Sequence, residues 1–361
     1  MQFLLYPGEV SEDSGLKKAM GRYVGVYRNR KPAKFLIAKS IPVRISPGVS
    51  DKELWEEHER GMKTFRRKER EFDKAGKKLE HLKFPAKSLI DLKRELAERI
   101  LRKCEFCERR CGIDRTKGEK GFCGLTDQSL LSSEFVHMGE EASIIPSHTF
   151  FFLGCNFYCV YCQNWRISRQ KEVGTPVTGK ELAGFAKYRR LKEGTRNVNL
   201  VGGDPIPNMH TVLDMLKCLD VNVPIVWNSN MYMSKKGMKL LDGVIDVYLS
   251  DFKYGNDRCA EMLSKVKNYW KITTRNHLLA KRQAEILIRH LVLPNHLECC
   301  TSRIMEWVGK NMGKVRMNIM GQYHPEFEVF GLEGMGRRTE TEEIKRALEL
   351  ARKNGVTNLE T

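Results

Sequence analysis

From Thr149 onward the chain alternates short apolar runs with longer segments whose apolar residues recur every three or four positions. The short runs have the length of buried strands, and the three-to-four spacing marks helices with one buried face. The pattern predicts strands over 149–153, 197–201, 224–228, 245–249, 289–293 and 315–320. Helices are predicted between them, notably Thr178 to Lys192, opened by the capping box Thr178-x-x-Glu181, and Met209 to Leu219. Strands that alternate with helices imply an α/β fold with a parallel sheet and crossover connections. Ahead of Thr149 the pattern differs. Phe35 to Lys39 and Ile41 to Ile45 read as short strands, with Pro42 and Pro47 as breakers. Asp51 is the expected cap of a long polar helix carrying Leu54, His58, Met62, Phe65 and Phe72, and a second helix is expected over Leu89 to Leu101.

Composition sharpens this picture. At 361 residues and 41% hydrophobic, the chain can bury one large core plus an accessory region. Net charge is +18, and residues 1–103 hold 26 Lys and Arg against 15 Asp and Glu, an excess of 26 − 15 = 11. Such an arm could face nucleic acid or an acidic protein surface. The ordinary alternative is a solvated helical face, because acids such as Glu56, Glu57, Glu59, Glu69, Glu71 and Asp73 are interleaved with the bases. A charged fraction of 30%, rich in Lys, Arg and Glu, also suits a protein that works hot. No run approaches the roughly 18 apolar residues of a membrane span, so no membrane partner is expected. Met1 to Pro7 lacks the basic and apolar regions of a secretion signal, and a cytoplasmic setting, where thiols stay reduced, is expected.

Seven of the eleven cysteines fall into two groups. In Gly154-Cys155-Asn156-Phe157-Tyr158-Cys159-Val160-Tyr161-Cys162 three thiolates follow an apolar strand. A 4Fe-4S cluster needs a terminal ligand on each iron, so three cysteines leave one iron open. A three-cysteine zinc site or a group of buried thiols is the alternative. Cys155-x3-Cys159-x-Tyr161-Cys162, with an aromatic before the last cysteine, resembles the motif of radical S-adenosylmethionine (SAM) enzymes. The resemblance implies a partial (β/α)6 TIM-like barrel, and the different pattern ahead of it reads as an N-terminal accessory region. The resemblance also implies that SAM chelates the open iron through its methionyl amine and carboxylate, and that an electron from the cluster cleaves it to a 5′-deoxyadenosyl radical. Chemistry in such a barrel gathers at the carboxyl ends of the strands.

The predicted strand ends carry suitable residues. Gly202-Gly203-Asp204-Pro205 offers a backbone that a ligand can approach and an acid for an ammonium group. It resembles the family's Gly-Gly-Glu-Pro element, which implies that Gly202, Gly203 and Asp204 hold the methionyl amine. Ser229 lies in Trp227-Asn228-Ser229-Asn230, and Asp251 and Lys253 share a face of one extended segment. Asp-x-Lys resembles an element of pyruvate formate-lyase activating enzymes, and so does Tyr323-His324. The implied contacts are Tyr161 with adenine, Ser229 with the ribose or methionyl group, and Asp251 with Lys253 at the polar end of the cofactor, with His324 joining the set. An ordinary turn, a surface ion pair and a structural histidine are the respective alternatives.

The resemblance spans roughly residues 104–325 and is closest to uncharacterised relatives of pyruvate formate-lyase activating proteins. Two departures stand out: Asp204 replaces a glutamate, and the additional cysteines precede the radical loop. Those cysteines, Cys104-x2-Cys107-x3-Cys111-x11-Cys123, can close a zinc site or ligate a second Fe-S cluster. Cys218, Cys259, Cys299 and Cys300 read as buried core thiols, and Cys299 or Cys300 could also reach the barrel mouth. The expected division is a basic, mostly helical accessory region (1–103), a four-cysteine segment (104–148), the barrel (149–325) and a C-terminal loop and helix packed on it (326–361). The expected activity is hydrogen abstraction from a substrate, a partner protein among the candidates, with a flavodoxin- or ferredoxin-type electron donor. A nucleic-acid-binding iron-sulfur protein or an RNA-modifying radical enzyme is the alternative, and a plain electron carrier would have no use for an open iron.

Overall fold

A computed structural model describes residues 14–75, 79–169 and 172–360; the reading of Met1 to Pro7 lies outside them. The described residues open with helices α1 (Ser14–Tyr27), α2 (Lys34–Lys39), α3 (Asp51–Ala75) and α4 (Leu89–Leu101). The four-cysteine segment leads into strands β1 (Leu130–His137) and β2 (Ser147–Phe152). A short helix α5 (Trp165–Ser168) and strand β3 (Thr175–Pro176) follow the cysteine loop. The rest alternates: α6 (Gly179–Lys192), β4 (Asn197–Gly202), α7 (Met209–Cys218), β5 (Ile225–Ser229), α8 (Lys235–Leu241), β6 (Val247–Asp251), α9 (Asp257–Ser264), α10 (Tyr269–Gln283) and β7 (Glu285–Leu291). A π-helix (Leu297–Ser302), α11 (Arg303–Met312), β8 (Arg316–Met320) and α12 (Thr341–Lys353) complete it.

The sheet runs β3-β1-β2-β4-β5-β6-β7-β8, with β2 and β4 to β8 all parallel and the β1–β3 edge antiparallel. This is the expected open barrel of six parallel strands, extended by two edge strands that the sequence pattern did not predict. Serines and Glu134 interrupt the apolar run in β1 and hide it.

Alternation along the strands separates two layers. Ile225, Trp227, Tyr248, Ile286 and Ile288 join the large core beneath the outer helices. Val226, Val247, Leu249 and Leu287 instead pack with Leu16, Met20, Tyr23 and Val24 of α1. Helix α1 therefore plugs the inner face at the amino-terminal ends of the strands. Above the plug the same inner columns turn polar, with Asn199, Asn228, Asp251 and Arg289, and this change positions the site at the opposite end.

Four local expectations are corrected. Phe35 to Lys39 is helical: its residues are buried on every side, so the run lacks the polar face that would betray a helix. Ile41 to Ile45 is extended but makes only the isolated bridge Pro42–Ser88. Ser50, not Asp51, caps α3, accepting the Glu53 amide at 3.3 Å while Glu53 accepts the Ser50 amide at 2.9 Å. The strand expected over 289–293 lies at Glu285–Leu291. Its charged residues are engaged inside the fold, so the apolar run alone misplaced it. The capping box of α6 forms as read, with the Thr178 amide 2.8 Å from the Glu181 carboxylate.

Candidate active site

The cysteine loop leaves β2 through Gly154, whose φ of +84° suits glycine. Helix α9 holds the loop: Ser264 O accepts the Tyr158 amide at 3.0 Å and Leu263 O the Val160 amide at 2.9 Å. Cys159 Sγ accepts the Ser264 hydroxyl at 3.0 Å, and Cys155 Sγ accepts the Phe157 amide at 3.3 Å. Burial raises the Cys155 thiol well above its ordinary range and the Cys159 thiol to about 11, the latter opposed by the Lys253 ammonium. Such thiols become good ligands when a cationic centre compensates the thiolate charge. All three cysteines of the loop line one cleft of about 340 Å³, together with Tyr161, Gly202, Gly203, Asp204, Ser229, Asp251 and Lys253. This donor set, opening onto a polar cleft, fits a cluster with an accessible iron.

The glycines of the second strand end answer a nearer demand than a ligand. A Cβ on Gly202 would sit 2.1 Å from Phe152 O, and one on Gly203 would sit 2.3 Å from Gly154 O. The chain needs both to pair with the start of the cysteine loop, where Gly203 N donates to Phe152 O (2.8 Å) and Asp204 N to Gly154 O (3.0 Å). Asp204 is buried and accepts from the amides of Ile206 (3.0 Å) and Asn230 (2.9 Å) and from Ser229 Oγ (3.2 Å). Burial pushes its carboxyl up to about 7 against these donors. Asp204 and Ser229 thus form a unit, and Asn230 extends it to Asn156 Oδ1 at 2.6 Å.

Across the cleft Lys253 Nζ lies 2.7 Å from Asp251 Oδ2. Burial opposes both charges, but their mutual attraction prevails, holding Asp251 below and Lys253 above their ordinary ranges. Tyr161 is buried, with its hydroxyl 2.7 Å from that of Tyr254 and its ring edge-on to Tyr323. His324 is not brought to this cleft; it is half-exposed, 3.8 Å from Glu326. Residues that sequence reasoning missed also line it, among them Glu140, Asn228, Asn230 and Arg289. Arg289 reaches Glu140 (3.3 Å), Glu141 (3.2 Å) and Asn228 Oδ1 (3.2 Å). For Asn228 and Arg289 the available signal was an amide or charged residue inside an otherwise apolar strand.

Cys104, Cys107, Cys111 and Cys123 line a separate small cavity with Phe106, Arg109 and Arg115. Burial raises the Cys107 thiol to about 12 and also raises Cys123. The two cysteine groups adjoin: Cys123 O would lie 2.9 Å from a Cβ on Gly154, and Arg109 Nε donates to Asn156 O at 2.8 Å. Of the remaining cysteines, Cys259 and Cys300 are buried as expected, but Cys218 is exposed and Cys299 half-buried. Several bases of the N-terminal arm pair within the fold, including Arg22 with Asp246 (2.9 Å), Arg94 with Asp214 (2.5 Å) and Arg99 with Asp51 (2.8 Å).

An open six-strand parallel barrel, with a Cys-x3-Cys-x2-Cys loop after its first parallel strand, is the arrangement of a radical SAM protein, and the profile of the Radical SAM superfamily matches residues 149–308. The chain belongs to that superfamily, whose members are enzymes and whose membership implies a 4Fe-4S cluster and SAM. It is 47% identical over 340 residues to the uncharacterized protein MJ0674 of Methanocaldococcus jannaschii, covering 92% of this chain and 97% of the relative. It is 26% identical over 183 residues to pyruvate formate-lyase 1-activating enzyme of Escherichia coli K12, covering 48% of this chain and 72% of that enzyme. The crystal structure of methylornithine synthase superposes with a TM-score of 0.42 at 16% identity, over 57% of this chain and 67% of that one. Among the described residues, no helix is long and apolar enough to cross a membrane.

Proposed function

We propose that the protein generates a substrate radical by hydrogen abstraction, and that its substrate is a partner protein, as the name of the activating-enzyme relative suggests. The observation that carries the reading is the convergence of Cys155, Cys159, Cys162, Asp204, Ser229, Asp251 and Lys253 on one cleft at the strand ends. When bound, the cluster and SAM supply reductive cleavage to a 5′-deoxyadenosyl radical. The protein's part is to bind, orient and shield. Cys155, Cys159 and Cys162 would hold the cluster. The Gly202-Gly203-Asp204 turn, Ser229, and the Asp251–Lys253 pair would hold the polar end of SAM, with Tyr161 on the adenine side. The four upstream thiols would hold zinc or a second cluster, and a flavodoxin- or ferredoxin-type protein would supply electrons.

The test is anaerobic reconstitution followed by reduction with deuterated SAM present. Wild-type protein is expected to cleave SAM and to exchange label with one polypeptide. Cys159→Ala is expected to lose the SAM-responsive cluster signal and all cleavage; full cleavage by that variant overturns the radical assignment. Label that appears in a small molecule or in RNA overturns the protein-substrate assignment and leaves the radical assignment standing.

A further inference from the structure

A third group of cysteines lies behind the cleft wall. The Sγ atoms of Cys259 on α9 and of Cys299 and Cys300 in the π-helix all fall within 4.8 Å of one another. Cys259 Sγ is 3.7 Å from Cys299 Sγ, which is 3.9 Å from Cys300 Sγ. Thiolates bound to zinc at about 2.3 Å with tetrahedral angles stand about 3.8 Å apart. A cubane spreads its cysteine sulfurs much farther, and a disulfide draws them to about 2.05 Å. The spacing is that of ligands around one ion.

The backbone favours this gathering. The widened turn of a π-helix, a rare form concentrated at functional sites, carries Cys299 and Cys300 to the same neighbour. Gly255 permits the approach, since a Cβ there would lie 2.6 Å from Cys299 O and 2.7 Å from Cys300 O. Asn256 caps α9 and braces the group, its Nδ2 donating to Cys299 O at 2.8 Å and to Cys259 Sγ at 3.2 Å. His296, at the head of the π-helix, is not among the donors gathered within 4.8 Å. It accepts the Cys300 amide on its carbonyl at 3.0 Å, and both of its ring nitrogens are buried with no hydrogen-bond partner.

We propose that Cys259, Cys299 and Cys300 bind one zinc ion, with a water or other small ligand in the fourth position. Binding displaces the three thiol protons to solvent. Its three thiolates come from two elements, so the ion acts by joining α9 to the π-helix. The other end of α9 carries Ser264, which contacts Cys159 Sγ at 3.0 Å. The ion thereby steadies the platform under the cysteine loop.

Full-length protein isolated anaerobically is compared with Cys259→Ser by metal analysis and by residue-resolved alkylation. The variant is expected to carry about one zinc per chain less than wild type. In wild type, Cys299, although half-buried, is expected to resist alkylation until a chelator strips the zinc. Equal zinc in both proteins overturns the proposal, as does Cys299 alkylation that a chelator does not change, or a Cys259–Cys299 disulfide in the anaerobic protein. The alkylation arm decides the matter if Cys259→Ser fails to fold, and neither arm depends on SAM cleavage.

Discussion

At the scale of single residues, burial divides the strand-end groups into those already committed to the protein and those left to meet a ligand. Asp204 is largely committed, because Ser229 and two backbone amides occupy much of its capacity to accept. Its shorter side chain, compared with the glutamate of the family element, fits this role, since it turns back on its own loop to meet the Ile206 amide. Lys253 is different: one carboxylate engages it at 2.7 Å, and an ammonium has three protons to give. Replacing Lys253 by alanine is expected to weaken SAM binding by on the order of 1.5 to 3 kcal/mol, the scale of a charge-assisted hydrogen bond. The cluster spectrum should be unchanged. Calorimetry on the reconstituted variant checks this, and an unaltered affinity removes Lys253 from the cofactor site. Asp251, two residues away, already pairs with Lys253, and both line the cleft.

Among the elements, what could be read from the sequence depended on whether an element's purpose is local. The cysteine loop and the glycine turn were legible because their spacing is set within a few residues. Arg289 was not, because what joins it to the cleft is lateral register, Asp251 pairing with Arg289 across β6 and β7, and Glu140 was not, because it meets the cleft from the loop after β1 through Arg289. Helix α1 was also illegible as a plug, since its start falls in a segment without strong periodicity and its partners lie some 200 residues away in sequence. Glu285 anchors it, accepting the amides of Arg22 and Tyr23 at 2.7 Å each. Burial pushes the Glu285 carboxyl up to about 7 against these donors. A carboxyl raised in the folded state is protonated there before it is in the unfolded chain. Its stabilising contribution is therefore complete below the ordinary carboxylate pKa and is lost as pH rises toward 7. The stability difference between wild type and Glu285→Gln is expected to shift against wild type from pH 5 to pH 7, by at most about 1.4 kcal/mol per pH unit. Urea midpoints for both proteins at the two pH values measure it, and parallel curves would show that Glu285 stays ionised throughout.

Taken whole, the molecule is a barrel closed from below by its own amino-terminal segment and open above at the strand ends. The inner columns pass from Val226, Val247, Leu249 and Leu287 against α1 to Asn228, Asp251 and Arg289 at the cleft. One face therefore serves stability and the other chemistry, and the two share strands. This arrangement makes the accessory helices part of the folding unit. Each of Leu16, Met20 and Val24 buries nearly its whole side chain, and burial of that kind is worth about 1.5 to 3 kcal/mol per residue. Folding stabilities are only about 5 to 15 kcal/mol, so losing α1 removes a large share of what keeps the barrel folded. Arg22 reinforces the point: its guanidinium meets the buried Asp246 at 2.9 Å, and removing one partner of a buried pair costs about 3 to 5 kcal/mol. In native-state hydrogen exchange, the protected amides of α1 are accordingly expected to open with the same free energy, and the same denaturant dependence, as those of β5 and β6. A helix merely laid on the outside would open first, at lower cost and with little dependence on denaturant. Observing that pattern for α1 would separate the plug from the barrel's folding unit.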